Sequence, residues 1–437
     1  MRETIFALSS GGLPSGVAVI RLSGPDVRTA LNDLVGFVPE PRKAVLRTMK
    51  AEDGTVLDRG LILFFEGPYS FTGEDCAELQ LHGGVAVVKS VLEALGGREN
   101  FRAADAGEFT KRGFLNGKFD LTGAEALADL ISAETEAQRR FALANGDERH
   151  RQLYAGWRRS LIHAQAMIAA ELDFSDEEDV PGSVADAIWQ ELSALQSEIE
   201  EHAGGYRDAE IVRDGFRVVI LGAPNAGKSS LMNALAKRDI AIVTEEAGTT
   251  RDILETALDI GGVKVILTDT AGIRENPGRI EAIGIDRAIA RAGDADLILL
   301  LEDVTEPRSV PHPQGVRLLR IANKIDLLDE RLVAEAYDLA ISTVSGEGIN
   351  ELLVRIGDLT EGSKKRALDI LPFRERHVGL LMEASRHIDR AFGQGAVGLE
   401  LQAEELRLAA IALGRIAGEI DVEDLLDTIF SQFCIGK

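Results

Sequence analysis

The apolar positions change their spacing along the chain, and each change marks a change of architecture. Up to about residue 116, short β-branched runs such as Val17 to Leu22 and Leu61 to Phe65 alternate with Gly, Pro and Ser, which predicts a small α+β unit. From Thr122 the spacing becomes three and four. Thr122 and Glu125 stand at capping-box distance, and Leu127, Leu130, Ile131, Ala137, Phe141 and Ala144 form one stripe, predicting a long amphipathic helix. A second stripe, Leu153, Trp157, Leu161, Ala164, Ile168 and Leu172, stops before the acidic, proline-terminated stretch Asp173 to Pro181, and a third helical pattern covers about 184 to 203. Between about 213 and 361 strands alternate with helices, as in a doubly wound parallel sheet, and 375 to 392 and 402 to 430 return to helical spacing. The expected architecture is multidomain, mixing α/β and α+β classes. An α+β domain occupies 1–116, a helical domain 117–212 and 362–437, and an α/β domain over 213–361 is inserted into it.

A chain of 437 residues fits two to four domains rather than one core. The acidic excess, 72 Asp plus Glu against 48 Lys plus Arg, argues against unselective binding to a phosphate backbone. Any nucleic acid must be met locally or through a partner. Cys76 and Cys434 lie far apart and form no CxxC pair, so neither a zinc site nor a disulfide framework is indicated. The longest aliphatic run, Leu297 to Leu301, is too short to span a bilayer. A soluble, cytoplasmic protein with no membrane contact is expected.

Candidate chemistry concentrates in 213–361. The buried run Phe216 to Leu221 leads directly into Gly222-Ala223-Pro224-Asn225-Ala226-Gly227-Lys228-Ser229-Ser230, a P-loop in its strand, loop, helix context. Backbone N–H groups there converge on phosphates, Lys228 reaches the terminal ones, and Ser229 offers its hydroxyl to magnesium. Asn323-Lys324-Ile325-Asp326 follows the run Val316 to Ile321, and a carboxylate at Asp326 can accept two N–H bonds from guanine that adenine does not supply. Ser342, with Thr343 where Ala is usual, resembles a further guanine-contacting loop. Asp269-Thr270-Ala271-Gly272 ends the run Val263 to Thr268, which the Gly261-Gly262 turn pairs with Ile253 to Ile260; Asp269 is placed to hold magnesium through water. Gly248-Thr249-Thr250-Arg251-Asp252, which Thr244-Glu245-Glu246-Ala247 lead into, precedes that hairpin and resembles the switch that closes over the terminal phosphate, with Thr250 as a second magnesium ligand. Ile273 stands where Ras-type GTPases carry the water-orienting Gln. Two substitutes are visible: Asn225, an oxygen donor suited to a monovalent cation, and Glu281, although spacing alone favours reading the latter as a solvated helix carboxylate.

These motifs, with Phe71-Thr72-Gly73-Glu74-Asp75, Leu79 to Gly84, Gly107-Glu108-Phe109-Thr110, Phe114 to Leu121 and the terminal Phe433-Cys434-Ile435-Gly436-Lys437, resemble the bacterial tRNA modification GTPases of the MnmE/TrmE family over essentially the whole chain. The resemblance implies a homodimer whose N-terminal domain binds a tetrahydrofolate one-carbon donor, in 5-formyl or 5,10-methylene form, at Arg21, Glu78, Lys118 and Lys437. It implies a heterotetramer with an FAD-dependent subunit that installs an aminomethyl or carboxymethylaminomethyl group at carbon 5 of the tRNA wobble uridine. It further implies a potassium site at Asn225, Thr244, Glu246 (through its backbone) and Thr249, and a hydrolytic carboxylate at Glu281. Cys434 reads either as a small buried hydrophobe or as a thiol serving the chemistry, and Arg21, Glu78 and Lys118 taken singly read as surface charges. Only twelve residues, three of them proline, separate Asp303 from Val316, where the family usually has a longer segment; a crossover helix hardly fits there. The competing reading is a GTP-regulated RNA or ribosome assembly factor without covalent chemistry, against which stands the lack of a terminal module with a basic face. Arg139, Arg140, Arg158 and Arg159 are candidate tRNA contacts, though solvated helix faces explain them as well.

Overall fold

The computed structural model describes residues 3–437 except 147, 174–182, 239, 243–253, 270–291, 328–335, 394–397, 421–425, 427–428, 432, 434–435 and 437. Contacts divide the chain into two units, Met1–Ala128 with His150–Ile162 and Ala410–Lys437, and Asp129–Arg149 with His163–Ala409.

In the first unit, strands β1 (Thr4–Leu8), β2 (Ser15–Ser23), β3 (Val45–Lys50), β4 (Val56–Phe65), β5 (Cys76–Gly83) and β6 (Phe101–Ala103) form a sheet in the order β3-β4-β5-β2-β1-β6. Every pairing is antiparallel except β1 with β6. The two-residue period puts Ala18, Ile20 and Leu22 of β2, Ile62 and Phe64 of β4 and Leu79 and Leu81 of β5 on one face. That face is buried against helices α1 (Val27–Val35) and α2 (Val85–Gly96). The other face carries exposed Val17, Leu46 and Leu61 and the register pair Arg21 and Glu78. Helix α3 (Glu108–Leu115) follows. The C-terminal segment returns to this unit: Phe430 and Phe433 pack with Leu121, and Gly436 lies so close to β1 that a Cβ would sit 2.3 Å from the Leu8 carbonyl oxygen.

The long helix expected from Thr122 is in fact two, α4 (Leu121–Ser132) and α5 (Glu136–Asn145). Thr122 is not the cap. Asp120 accepts hydrogen bonds from Gly123 N and Thr122 Oγ1, both at 2.8 Å, and α4 starts at Leu121, two residues earlier than a Thr122 cap would set it. The capping box belongs to Thr135 and Gln138, and Thr135, in extended backbone, breaks the run. Helices α6 (Arg149–Asp173) and α7 (Ser183–Gly204) match the second and third stripes, while α8 (Tyr206–Asp214) is set off from α7 at Gly204-Gly205.

The inserted sheet comprises β7 (Phe216–Gly222), β8 (Leu254–Ile260), β9 (Val263–Asp269), β10 (Leu297–Asp303), β11 (Arg317–Asn323) and β12 (Leu339–Ile341), ordered β12-β11-β10-β7-β9-β8. All pairs are parallel except the β8–β9 hairpin, whose Gly261-Gly262 turn takes φ of +62° and +88°. Val218, Ile220, Leu299 and Leu301 pack with Leu231 and Leu235 of α9 (Lys228–Ala236) and with Leu352 and Ile356 of α10 (Ile349–Arg366). Val219, Leu221, Ile298 and Leu300 face the other way. Burial on both faces explains the continuous aliphatic runs. No helix links β10 to β11, as the prolines lead one to expect; Val310 of the extended connection packs on the second face instead.

Helices α11 (Glu375–Gly393) and α12 (Leu399–Ala417) continue the helical part; α12 ends before the turn at Gly418, and among the described residues beyond it Leu426, Ile429 and Phe430 are again helical. The sheet is braced on α5: Ala137 N donates to Gly262 O at 3.0 Å, Lys264 of β9 pairs with Glu134, and Gln138 Nε2 donates to Arg213 O at 2.7 Å. Fully buried Phe373 meets Phe141 edge-on at 6.2 Å and His377 at 4.8 Å. Phe373→Ala is expected to lower stability by about 3–5 kcal/mol. Thermal unfolding checks this, and an unchanged melting temperature would show that Phe373 is not a keystone of this core.

Candidate nucleotide site and N-terminal cleft

The carboxyl ends of β7, β9, β10 and β11 lie side by side in a parallel sheet, the edge at which such sheets bind ligands. β7 ends at Gly222, and the loop to Lys228 turns through Asn225, which is exposed with φ of +65°, and Gly227, with φ of +98°. A Cβ at Gly227 would lie 2.2 Å from Asn323 Nδ2, so this position has no room for a side chain. Asn323 is fully buried at the end of β11 and donates from Nδ2 to Ala226 O at 2.8 Å; its Oδ1 is buried without a partner among the described residues. The Gly222 to Lys228 loop and the Asn323 to Asp326 segment are therefore joined by a direct hydrogen bond.

Lys228 is buried and donates to Gly222 O at 2.8 Å and Ala223 O at 2.9 Å. Burial lowers its ammonium pKa against the attraction of Asp269. Ser229 Oγ donates to Asp269 Oδ2 at 2.8 Å, which brings a hydroxyl and a carboxylate together as hard oxygen donors fit for magnesium. Ser230, like Ser229, is exposed on the first turn of α9. Lys324 has φ of +67° and pairs with Asp303 at the end of β10. Burial opposes ionisation of Asp303, but Lys324 and the Thr305 hydroxyl and amide outweigh it and hold the carboxyl at about 2.

Asp326 is exposed, and its Oδ1 accepts a hydrogen bond from Ser342 Oγ at 2.5 Å. Ser342 is buried and also accepts from Val344 N and Ser345 N, with Thr343 beside it half-buried. Ser342 thus orients Asp326 through its own turn.

In the first unit a cleft of about 450 Å³ opens on the outward side of β2, β4 and β5. Arg21 and Glu78 form a 2.9 Å ion pair in its lining, and the Arg21 guanidinium lies over the rings of Phe71 at 5.6 Å and Phe109 at 5.9 Å. Lys118 reaches the same cleft and donates from Nζ to Pro68 O at 2.8 Å. The structure thus gathers three residues that are far apart in sequence.

Comparison with known proteins agrees with this layout. The family model for the MnmE helical domain matches residues 121–434, and that for the GTP-binding protein TrmE N-terminus matches residues 4–118. A protein of Chelativorans sp. named tRNA modification GTPase MnmE is 60% identical over 437 residues, covering 100% of this chain and 99% of its own. Proteins of the same name from Mesorhizobium japonicum and Brucella anthropi are 59% and 54% identical, each again covering 100% of this chain and 99% of its own. The chain belongs to the tRNA modification GTPase MnmE family.

Several positions singled out for this MnmE family member, Thr244 to Thr250, Thr270 to Gly272, Glu281, Cys434 and Lys437, lie outside the described residues. Next to the last of these, Ser9 Oγ donates to Gly436 O at 2.8 Å. Of the arginines considered as tRNA contacts, Arg139 and Arg140 both pair with Glu136, and Arg158 pairs with Glu419 at 2.5 Å. Sequence reasoning missed Asp303 and Arg42. Asp303 ends an aliphatic strand beside the motif it serves, a signal that was available; Arg42 sits in a loop with no motif of its own. Ser342→Ala is expected to weaken GDP binding about ten-fold by releasing Asp326. Titration calorimetry checks this, and unchanged affinity would mean that the serine does not hold the carboxylate.

Proposed function

We propose that this chain is a potassium-dependent GTP hydrolase acting in tRNA modification. With an FAD-dependent partner subunit, it places an aminomethyl or carboxymethylaminomethyl group on carbon 5 of the wobble uridine, using a tetrahydrofolate one-carbon donor. The observation that carries the nucleotide part is the hydrogen bond from Asn323 to Ala226, which brings guanine-reading Asp326 and phosphate-gripping Lys228 into one site. The relatives' printed name supports the tRNA part.

In this reading Lys228 exchanges its two loop carbonyls for the terminal phosphates, and Ser229 and Thr250 hold magnesium with Asp269 behind them. Bound magnesium and potassium supply positive charge against the developing negative charge of phosphoryl transfer. Asn225, Thr244, Glu246 and Thr249 form the potassium cage. Support comes from the exposed amide of Asn225 at the rim of the loop and from the lack of a hydrogen-bonding side chain at Ile273. Glu281 takes the water-activating role.

Folate binding at Arg21, Glu78, Lys118 and Lys437 is supported by a cleft with aromatic walls and both charge signs. Cys434 serves the one-carbon chemistry in this reading. A homodimer is supported by the exposed apolar residues Val17, Leu46 and Leu61 on the outward face of the N-terminal sheet. Among the described residues no helix is long and apolar enough to cross a membrane, and the proposed place of action is the cytoplasm.

GTP hydrolysis is expected to be at least about ten-fold faster in potassium than in sodium chloride at equal ionic strength. Equal rates would count against the cage. Mass spectrometry of tRNA nucleosides from cells with and without the gene tests the pathway; an unaltered wobble uridine in the deletion strain would refute it.

A further inference from the structure

Among the described residues many arginines of this acidic chain are ion-paired, but the two cations at the mouth of the N-terminal cleft are not. Arg42 and Lys118 are both exposed, both line the cleft, and among the described residues neither has a carboxylate partner. Each donates instead to a backbone carbonyl of one loop: Arg42 to Tyr69 O at 2.6 Å and Lys118 to Pro68 O at 2.8 Å. A carbonyl accepts a hydrogen bond without cancelling the charge, so two net positive charges face solvent here. Arg42 is held for this position. It takes φ of +63°, its N donates to Phe64 O at 2.8 Å, and its guanidinium lies 6.0 Å from the Phe65 ring.

Deeper in the cleft the charge balance differs. Arg21 and Glu78 are half-buried and neutralise each other, and both hydrogen bonds from Arg21 go to Glu78 Oε1. Glu78 Oε2 is left to accept from a ligand with adjacent N–H groups, as an aminopyrimidine edge provides. Tyr69 and Phe71, exposed between floor and mouth, offer surfaces for a flat ring.

This gradient sets a direction for the occupant. We propose that the cleft binds a folate with its pterin head at the Arg21–Glu78 floor and its glutamyl carboxylates at the mouth, and that Arg42 is a specificity-determining residue that favours oligoglutamylated forms. The inference rests on the folate reading given above and adds orientation, tail length and a residue. Each added γ-linked glutamate brings another carboxylate toward the two cations, whose attraction is screened by salt.

The test is calorimetric titration of the full-length protein with three ligands: tetrahydropterin lacking a tail, 5-formyltetrahydrofolate with one glutamate, and the same compound with five. The wild type is expected to bind the pentaglutamate about three- to ten-fold more tightly than the monoglutamate at low salt. Arg42→Ala should remove most of that preference and leave the affinity for the tail-less head within about two-fold, and Arg42→Lys should keep part of it. Equal wild-type affinity for one and five glutamates would overturn the inference and leave the folate reading standing. So would an Arg42→Ala loss of the same size for head and pentaglutamate, which would mean that Arg42 only positions the Tyr69 loop. If the wild type binds none of the three, the folate reading itself fails and takes this inference with it.

Discussion

The hydrogen bond from Asn323 to Ala226 is the contact on which the nucleotide site depends. It spans 97 positions of sequence and fixes the spacing between the Gly222 to Lys228 loop, proposed to receive phosphates, and the end of β11, proposed to receive a base. The contact needs a glycine at 227, because any side chain there would occupy the place of the Asn323 amide. Around it the parallel sheet supplies rigidity: β7 and β11 both flank β10, and each is buried on its aliphatic faces.

That rigidity has a route outward. β9 carries Asp269 at one end and, near its start, the ion pair of Lys264 with Glu134. β7 is entered through Arg213 and Asp214, and the Arg213 carbonyl is held by Gln138. β7 is therefore anchored on α5, through Gln138, and β9 on Glu134 just before that helix.

Much of this was legible in the sequence because the relevant signals are local. Strand, glycine loop and helix follow one another within the P-loop, and Gly261-Gly262 announces its own hairpin. Three prolines correctly exclude a helix between β10 and β11. The split of the first long helix was misread because the apolar stripe continues across it; Thr135 and Gln138 carry the boundary at the same spacing as Thr122 and Glu125, and only the tertiary course of the chain chooses between them. The N-terminal motifs were legible as resemblance but opaque as physics. Glu108 of the Gly107 to Thr110 motif accepts from Arg102 and Arg112, and Arg112 also reaches Glu74, whose Oε2 takes the Ser23 hydroxyl. Arg112, Glu108 and Glu74 form a nearly buried ionic cluster, where loss of one partner would strand a charge. Arg42 was invisible because what sets it apart is the lack, among the described residues, of a neighbouring carboxylate, and that is a property of three-dimensional packing.

The central claim is that a single pocket reads both the phosphates and the guanine edge. Competition for bound fluorescent GDP by unlabelled GDP, IDP and ADP measures this on the intact chain. GDP should displace the probe. IDP, which lacks the 2-amino donor to Asp326, should do so about ten- to a hundred-fold less well, and ADP should not compete. Displacement by ADP as effective as that by GDP would contradict the account.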